Sequence, residues 1–354
     1  MVGWRNYFAH VMAIAGAVTA AMPALAAEWP VLPSPWSAPL VTKAAPVADL
    51  GYFLPRPVPA WQGEFGARFW YGTSTTAKSL YDVPSHSNAM VSRLTYSGMN
   101  VADGELFGRV TFSNGMFVKG YAGGGGLLAG NLKDEDFPPS IVPYSSTTSG
   151  QYNGELTYAS LDLGYNAVRG GDFRVGAFVG YHYFTQQMNA YGCAQTATNP
   201  FVCQPAVPNT VEVISQSNQW QSVRVGLDGT LRIGDRFTLT GEAAWLPFVF
   251  LNGADTHWLR IGTAVGDFAG PIPEDGRGYG YQVELLLSYQ VTEYGSVGIG
   301  ARYWHMQASG NSNFEGNVVG ETAFAQPVDW KTDIFGVFVQ ASLKLGPYPV
   351  GFLN

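Results

Sequence analysis

Short runs of alternating apolar and polar residues, each ended by a glycine, asparagine or aspartate turn, recur about ten times along this chain. In one run Val223, Val225, Leu227 and Leu231 fall on one side, and Ser222, Arg224, Asp228, Thr230 and Arg232 on the other. Segments 281–290, 297–303 and 335–345 read the same way. Side chains alternate between the faces of a strand with period two, so each run has one apolar and one polar face. A soluble sandwich hides its apolar face in a core. Here the face that carries ions is the more crowded, and that inversion predicts an all-β fold: an antiparallel transmembrane barrel with its apolar face in lipid.

The ends of the chain fit an exported protein. Arg5, an apolar stretch over 10–18 and the small-residue site Ala24-Leu25-Ala26 predict a signal peptide at 1–27. Residues 28–60 are proline-rich and aperiodic, and read as an extended periplasmic tail. The barrel is expected over 61–346, followed by a C-terminal tail at 347–354. No later segment approaches the ~20 apolar residues of a spanning helix, so strands must make any crossing. Charged residues are 13% of the chain, against ~25% in soluble domains. A formal net charge of −7 argues against nucleic acid as a partner. Cys193 and Cys203 lie in a polar stretch with no histidine nearby. A surface-loop disulfide is expected there, and no metal site.

Turn signals set the strand count. Tight connections are read at Ser113-Asn114-Gly115, Arg169-Gly170-Gly171-Asp172, Ile233-Gly234-Asp235-Arg236 and Tyr294-Gly295-Ser296. Long polar loops are read at roughly 74–88, 132–150, 191–212, 255–279 and 313–328. Four short and five long connections make ten strands, with both ends on the short-turn side. Such barrels stand in the outer membrane of Gram-negative bacteria, long loops outward. Inward positions supply Asp162, Arg224, Asp228, Glu242, Glu284 and Arg302. Ten strands enclose little more than their own side chains, so these ions are expected to pair into a plug, not to line an open pore.

Two acidic motifs stand where outer loops are expected to begin: Asp134-Glu135-Asp136 and Asp255-Thr256-His257. In extended backbone the members of each i, i+2 pair share a face. The third and seventh of the expected strands lie nearly opposite in a ten-stranded ring, so the pairs could meet across the mouth. His257 could then take a proton from water, with Asp255 fixing its tautomer and a carboxylate opposite orienting the water. A solvated acidic face, a weak calcium contact and an interfacial histidine are the competing readings of the same residues. Parity is an obstacle. Counted strictly from Glu242 and Lys119, all four side chains point outward. One extra residue per strand would turn them in, and Pro247 and the glycine run 123–126 are the expected places.

Over about 65–345 these features resemble the omptin family of ten-stranded outer-membrane endoproteases. Gly130-Asn131-Leu132-Lys133-Asp134-Glu135-Asp136 is similar to the family's Asp-x-Asp loop, and Asp255-Thr256-His257 to its Asp-x-His motif. The resemblance implies an aspartyl-type peptidase with no covalent intermediate. Asp134 and His257 would flank the attacking water, Asp136 would support it and Asp255 would orient the imidazole. Peptide or protein would be the substrate, and the active site would face outside. No metal or organic cofactor is implied, and lipopolysaccharide is the one candidate activator. Two substrate-binding positions depart from the family: Lys78 and Gly253 stand where omptins carry acids that favour basic substrates, so a dibasic preference is not expected. Of the family's lipid A contacts Tyr181 is kept, whereas Thr185 and Gln219 fall where arginines are expected. The alternative reading is a non-catalytic surface barrel (an adhesin, receptor or structural protein), supported by loops rich in Thr, Ser, Asn and Gly.

Overall fold

The computed structural model describes residues 60–83, 87–137, 142–262, 268–314 and 325–346. The expected signal peptide, the C-terminal tail and all of the proline-rich tail except Ala60 lie outside them. The chain runs β1 (Trp61–Tyr81), β2 (Met90–Phe112), β3 (Met116–Asp136), β4 (Ser145–Gln151), β5 (Gly154–Arg169), β6 (Phe173–Gln195), β7 (Val207–Ile233), β8 (Phe237–His257), a 3-10 turn (Trp258–Arg260), β9 (Ile272–Gln290), β10 (Gly295–Asn313) and β11 (Ala325–Leu345). All eleven strands join one antiparallel sheet, and β1 closes it on β11. The ring has ten staves. β4 and β5 are one stave, both lying between β3 and β6 and interrupted only at Tyr152 and Asn153.

All four tight connections are present on the side of both barrel ends, three at the turn residues read for them and the β9–β10 turn at 291–294, with Gly295 and Ser296 already in β10. Gly234 holds φ of +63° in the β7–β8 turn, a left-handed conformation that glycine adopts without a Cβ penalty. The outer connections are shorter than the sequence reading. Segments 132–136, 255–257 and 325–328, taken there as loop, continue the ladders of β3, β8 and β11. Main-chain hydrogen bonds carry a ladder onward with no need of an apolar outer face, so polar residues there mark height above lipid and not the end of a strand.

A belt of apolar residues faces outward along the short-turn half of the wall. On β11 it comprises Phe335, Val337, Val339, Leu343 and Leu345, on β9 Leu287, Leu285, Val283 and Tyr281, on β1 Phe65, Phe69 and Tyr71, all exposed. On β11 the belt spans 335–345, the ~10 residues a tilted strand needs to cross hydrocarbon. Ring pairs Phe237–Tyr289 and Trp245–Tyr279 stand on this outer face, the former beside a short turn and the latter further along β8. Aromatic side chains of this kind suit the headgroup levels of a bilayer.

The lumen is filled in layers. Nearest the short turns, Arg109 and Lys119 hold Asp228, Lys119 Nζ lies 2.6 Å from Glu242, and Arg224 bonds Asp162 at 3.0 Å as well as Glu242 and Ser160. Beside them Arg68 and Arg302 share Glu105 and Glu284. All six inward ions expected from the sequence take part, joined by Arg68, Glu105, Arg109 and Lys119. Trp70, Tyr121, Tyr158, His182, Phe184 and Trp304 pack together as an aromatic layer. Above it, Thr76 bonds Gln186 at 3.0 Å across the lumen. Deleting one partner of a buried ion pair leaves the other charge uncompensated, at a cost of about 3–5 kcal/mol. Arg224→Met should therefore lower the unfolding free energy of the refolded barrel by that order, and Arg224→Met with Glu242→Gln by less, as read from urea titrations followed by heat-modifiable mobility in SDS.

Candidate active site

Three strands change face near the upper edge of the belt. On β8, Glu242, Ala244 and Leu246 lie on the sheltered face below, and Val249, Leu251 and Asp255 on it above. Val223 pairs with Phe248 but Val225 with Trp245, and Leu246 pairs with Gly280 but Val249 with Gly278. One extra residue therefore sits in β8 at Pro247, where the missing N–H cannot serve a ladder. On β3, Phe117 and Leu127 are buried, Leu128 and Ala129 are exposed in succession, and Leu132 is buried again. The pairings Asn100↔Ala129 and Val101↔Leu127 locate the extra residue at Leu128.

The slip expected inside the glycine run 123–126 thus lies just past it. Those glycines instead let side chains close in: a Cβ on Gly125 would come within 2.5 Å of Asp103, and one on Gly123 within 2.6 Å of the Tyr158 hydroxyl. A third slip, in β2 at Ser97–Gly98, has Gly98 at φ +61°. It puts Tyr96, buried, on the lumen side.

These slips carry the acidic pairs into the mouth, above the belt. His257 Nε2 lies 3.1 Å from Asp255 Oδ2. A neutral imidazole in this geometry donates Nε2–H to the carboxylate, leaving its lone pair on Nδ1. The ring packs 5.5 Å from Phe268, over which Arg260 lies at 4.0 Å. Opposite, Asp134 and Asp136 are half-buried and both feel the charge of His257. Burial, then Asp136, pushes Asp134 up to about 7, against the opposing pull of His257. Burial also raises Asp136, with Ser92, His257 and Arg260 opposing. For His257, burial disfavours the cation, but Asp255 and then Asp134 outweigh it and the net shift is upward. Asp255 goes the other way: burial opposes its charge, and His257 and Lys78 overcome that.

The two positions read as substrate-binding lie in the wall. Lys78 is 3% exposed, and its ammonium donates to Asp255, to Glu274 at 2.8 Å and to Gln216 at 3.1 Å. A Cβ on Gly253 would meet Asn218 and Ser217 at 3.1 Å and Glu274 at 3.3 Å. Packed protein atoms therefore stand where a side chain at 253 would begin. Glu274 and Gln216 were absent from the sequence reading, although counting back in twos from Glu284 and Arg224 puts both inside. Tyr96 was beyond such counting because of the slip at Gly98. Cys193, near the end of β6, and Cys203, in the β6–β7 connection, form the expected disulfide. On the outer face Tyr181 donates to Gln221 at 2.8 Å, and Thr185 and Gln219 are register partners.

No protein-family model and no curated protein sequence matches the chain. Among solved structures the fold is similar to the outer membrane protease OmpT from Escherichia coli, at a TM-score of 0.59 and 16% identity over 79% of this chain and 96% of that one. OprG from Pseudomonas aeruginosa (TM-score 0.33, 10% identity, 82% of this chain and 98% of that one) and Ail from Yersinia pestis (0.22, 9%, 78% and 98%) superpose far less well. At such identity the likeness to OmpT establishes the fold of an outer-membrane β-barrel, and the site has to be argued from its own chemistry.

A carboxyl raised from 3.8 to about 7 costs the folded state stability as pH climbs through that window, because the unfolded chain gives up its proton first. The cost is complete above pH 7 and absent below pH 3.8. Asp134→Asn should accordingly raise the unfolding midpoint at pH 8, by roughly 2–4 °C for each kcal/mol of that cost, with the gain disappearing toward pH 4. A melting series in detergent reads this directly.

Proposed function

We propose that this chain is an omptin-like endopeptidase of the Gram-negative outer membrane, with its active site on the outer side. The observation that supports this most is the double change of face, at Leu128 and Pro247. It turns Asp134, Asp136, Asp255 and His257 toward one another in a barrel whose fold is shared with a protein described as a protease. The steps use only these side chains. Asp134 accepts a hydrogen bond from a water and orients it, and Asp136 supports that carboxylate. His257 Nδ1 removes the water proton as oxygen attacks the peptide carbonyl, while Asp255 holds the ring by Nε2. The imidazolium then protonates the departing amine, which completes hydrolysis without a covalent enzyme intermediate.

The substrate reading departs from the omptins. Gly253 brings no acid and Lys78 adds a cation, so a basic side chain next to the scissile bond finds no unengaged partner at either position. The competing reading, a non-catalytic surface barrel, draws on the Lys78–Asp255 ion pair, which a wall-stabilising role accounts for without chemistry. Cleavage of a peptide library by refolded barrel separates the two. Asp134→Asn and His257→Ala should each lower the rate by at least ~100-fold and leave heat-modifiable folding intact; full activity in both variants removes the peptidase reading. The acid limb of the rate should have its midpoint above 6.5, the ordinary histidine value, because a raised imidazole must lose its proton before it can act as base.

A further inference from the structure

Lys78 sits on β1, and its three acceptors sit on three other strands: Gln216 on β7, Asp255 on β8 and Glu274 on β9. None of these is a neighbour of β1 in the ring. The ammonium therefore crosses the lumen. It lands on Oδ2 of Asp255, the same oxygen that His257 Nε2 approaches at 3.1 Å. Glu274 secures it from the far side and is itself held by Gln216 at 2.7 Å and Ser312 at 3.2 Å. A lysine used only to neutralise a buried carboxylate had Glu274 available. This one also engages the acid that faces the histidine.

We propose that Lys78 is a positioning residue for the Asp255–His257 pair: its ammonium clamps the carboxylate oxygen shared with the imidazole, fixes the direction in which His257 is held, and by its charge opposes protonation of that ring. This rests on the reading of the pair as the water-activating group. Two donors at one oxygen stand a few ångströms apart, close enough for like charges to repel even at an effective dielectric of about 20. A protonated His257 would bring a second cation to an oxygen that already has one. The other groups that interact with the pair are Asp134 and Asp136 on β3 and Tyr96 on β2; Arg260 in the 3-10 turn and Tyr144 ahead of β4 lie beside the two aspartates, and Glu212 on β7 beside Tyr96. The acids among them favour the imidazolium, so the Lys78 charge is a counterweight placed on the orienting oxygen itself.

The test is the titration of His257, followed by histidine-selective NMR in detergent and assigned with His257→Ala, alongside the pH profile of peptide cleavage. Lys78→Met should raise the His257 midpoint by about one pH unit and carry the acid limb of cleavage with it; Lys78→Arg, which keeps the charge, should stay close to the parent. Should Lys78→Met refuse to fold, Lys78→Met with Glu274→Gln removes cation and anion together and should still shift the midpoint upward. An unmoved midpoint in whichever variant folds overturns the proposal, because a purely packing role would change stability and leave the titration alone. A shifted midpoint in a barrel that cleaves no peptide upholds the clamp and removes the peptidase reading. Cleavage with an unmoved midpoint does the reverse.

Discussion

A strand in a closed sheet has only two faces, and every side chain above an inserted residue moves to the other one. That constraint governs this molecule. Below the slips, lipid dictates the outer face and the ion-paired plug the inner one, and the slip of β5 between Tyr165 and Val168 sits at the short-turn end of that strand. Above them the outer face meets water, and the parity of each strand becomes free to serve the mouth. β2, β3 and β8 each use that freedom near the upper edge of the belt, through Gly98, Leu128 and Pro247. Without the last two, Asp134 and His257 would lie on the outer surface.

Charge separates the plug from the mouth. In the paired plug five cations (Arg68, Arg109, Lys119, Arg224, Arg302) meet five anions (Glu105, Asp162, Asp228, Glu242, Glu284). Each buried charge has an opposite neighbour, the condition under which such groups are tolerated in a low dielectric. The mouth is different. Asp134, Asp136, Asp255, Glu212 and Glu274 share Lys78, His257 and Arg260. Burial raises Asp134, Asp136, Glu212 and Glu274, whereas Asp255, held by His257 and Lys78, is lowered. Perturbed acids of this kind cluster at functional sites and also occur in structural ion-pair networks.

Much of this was legible in the residues. Ten staves, the short turns and the inward ions follow from period two because lipid enforces it over ~10 residues per strand. The strand tips were not legible: above the lipid both faces are polar, alternation loses its contrast, and 132–136 looks like loop while its ladder with β2 continues. Pro247 announced its slip by lacking an N–H, whereas Leu128 carries no mark at all. The disulfide followed from two cysteines in an exported chain. The role of Lys78 could not be read, because its partners lie 138 to 196 residues away and meet it only across the closed ring. Reading it as substrate-binding came from its position in a resemblance, not from its contacts.

Those contacts change the meaning of the departures from the omptin pattern. Against that pattern Gly253 brings no acid and Lys78 brings a cation, and both differences make the local charge more positive. Left alone, each would disturb a site built around carboxylates. Here Glu274 closes over Gly253, with Oε2 3.3 Å from where its Cβ would stand, and the same carboxyl group binds Lys78 through Oε1 at 2.8 Å. One residue thus answers both changes, while Asp255 remains bonded to His257. The two departures, of one sign, are joined through a buried acid to the oxygen that the histidine approaches.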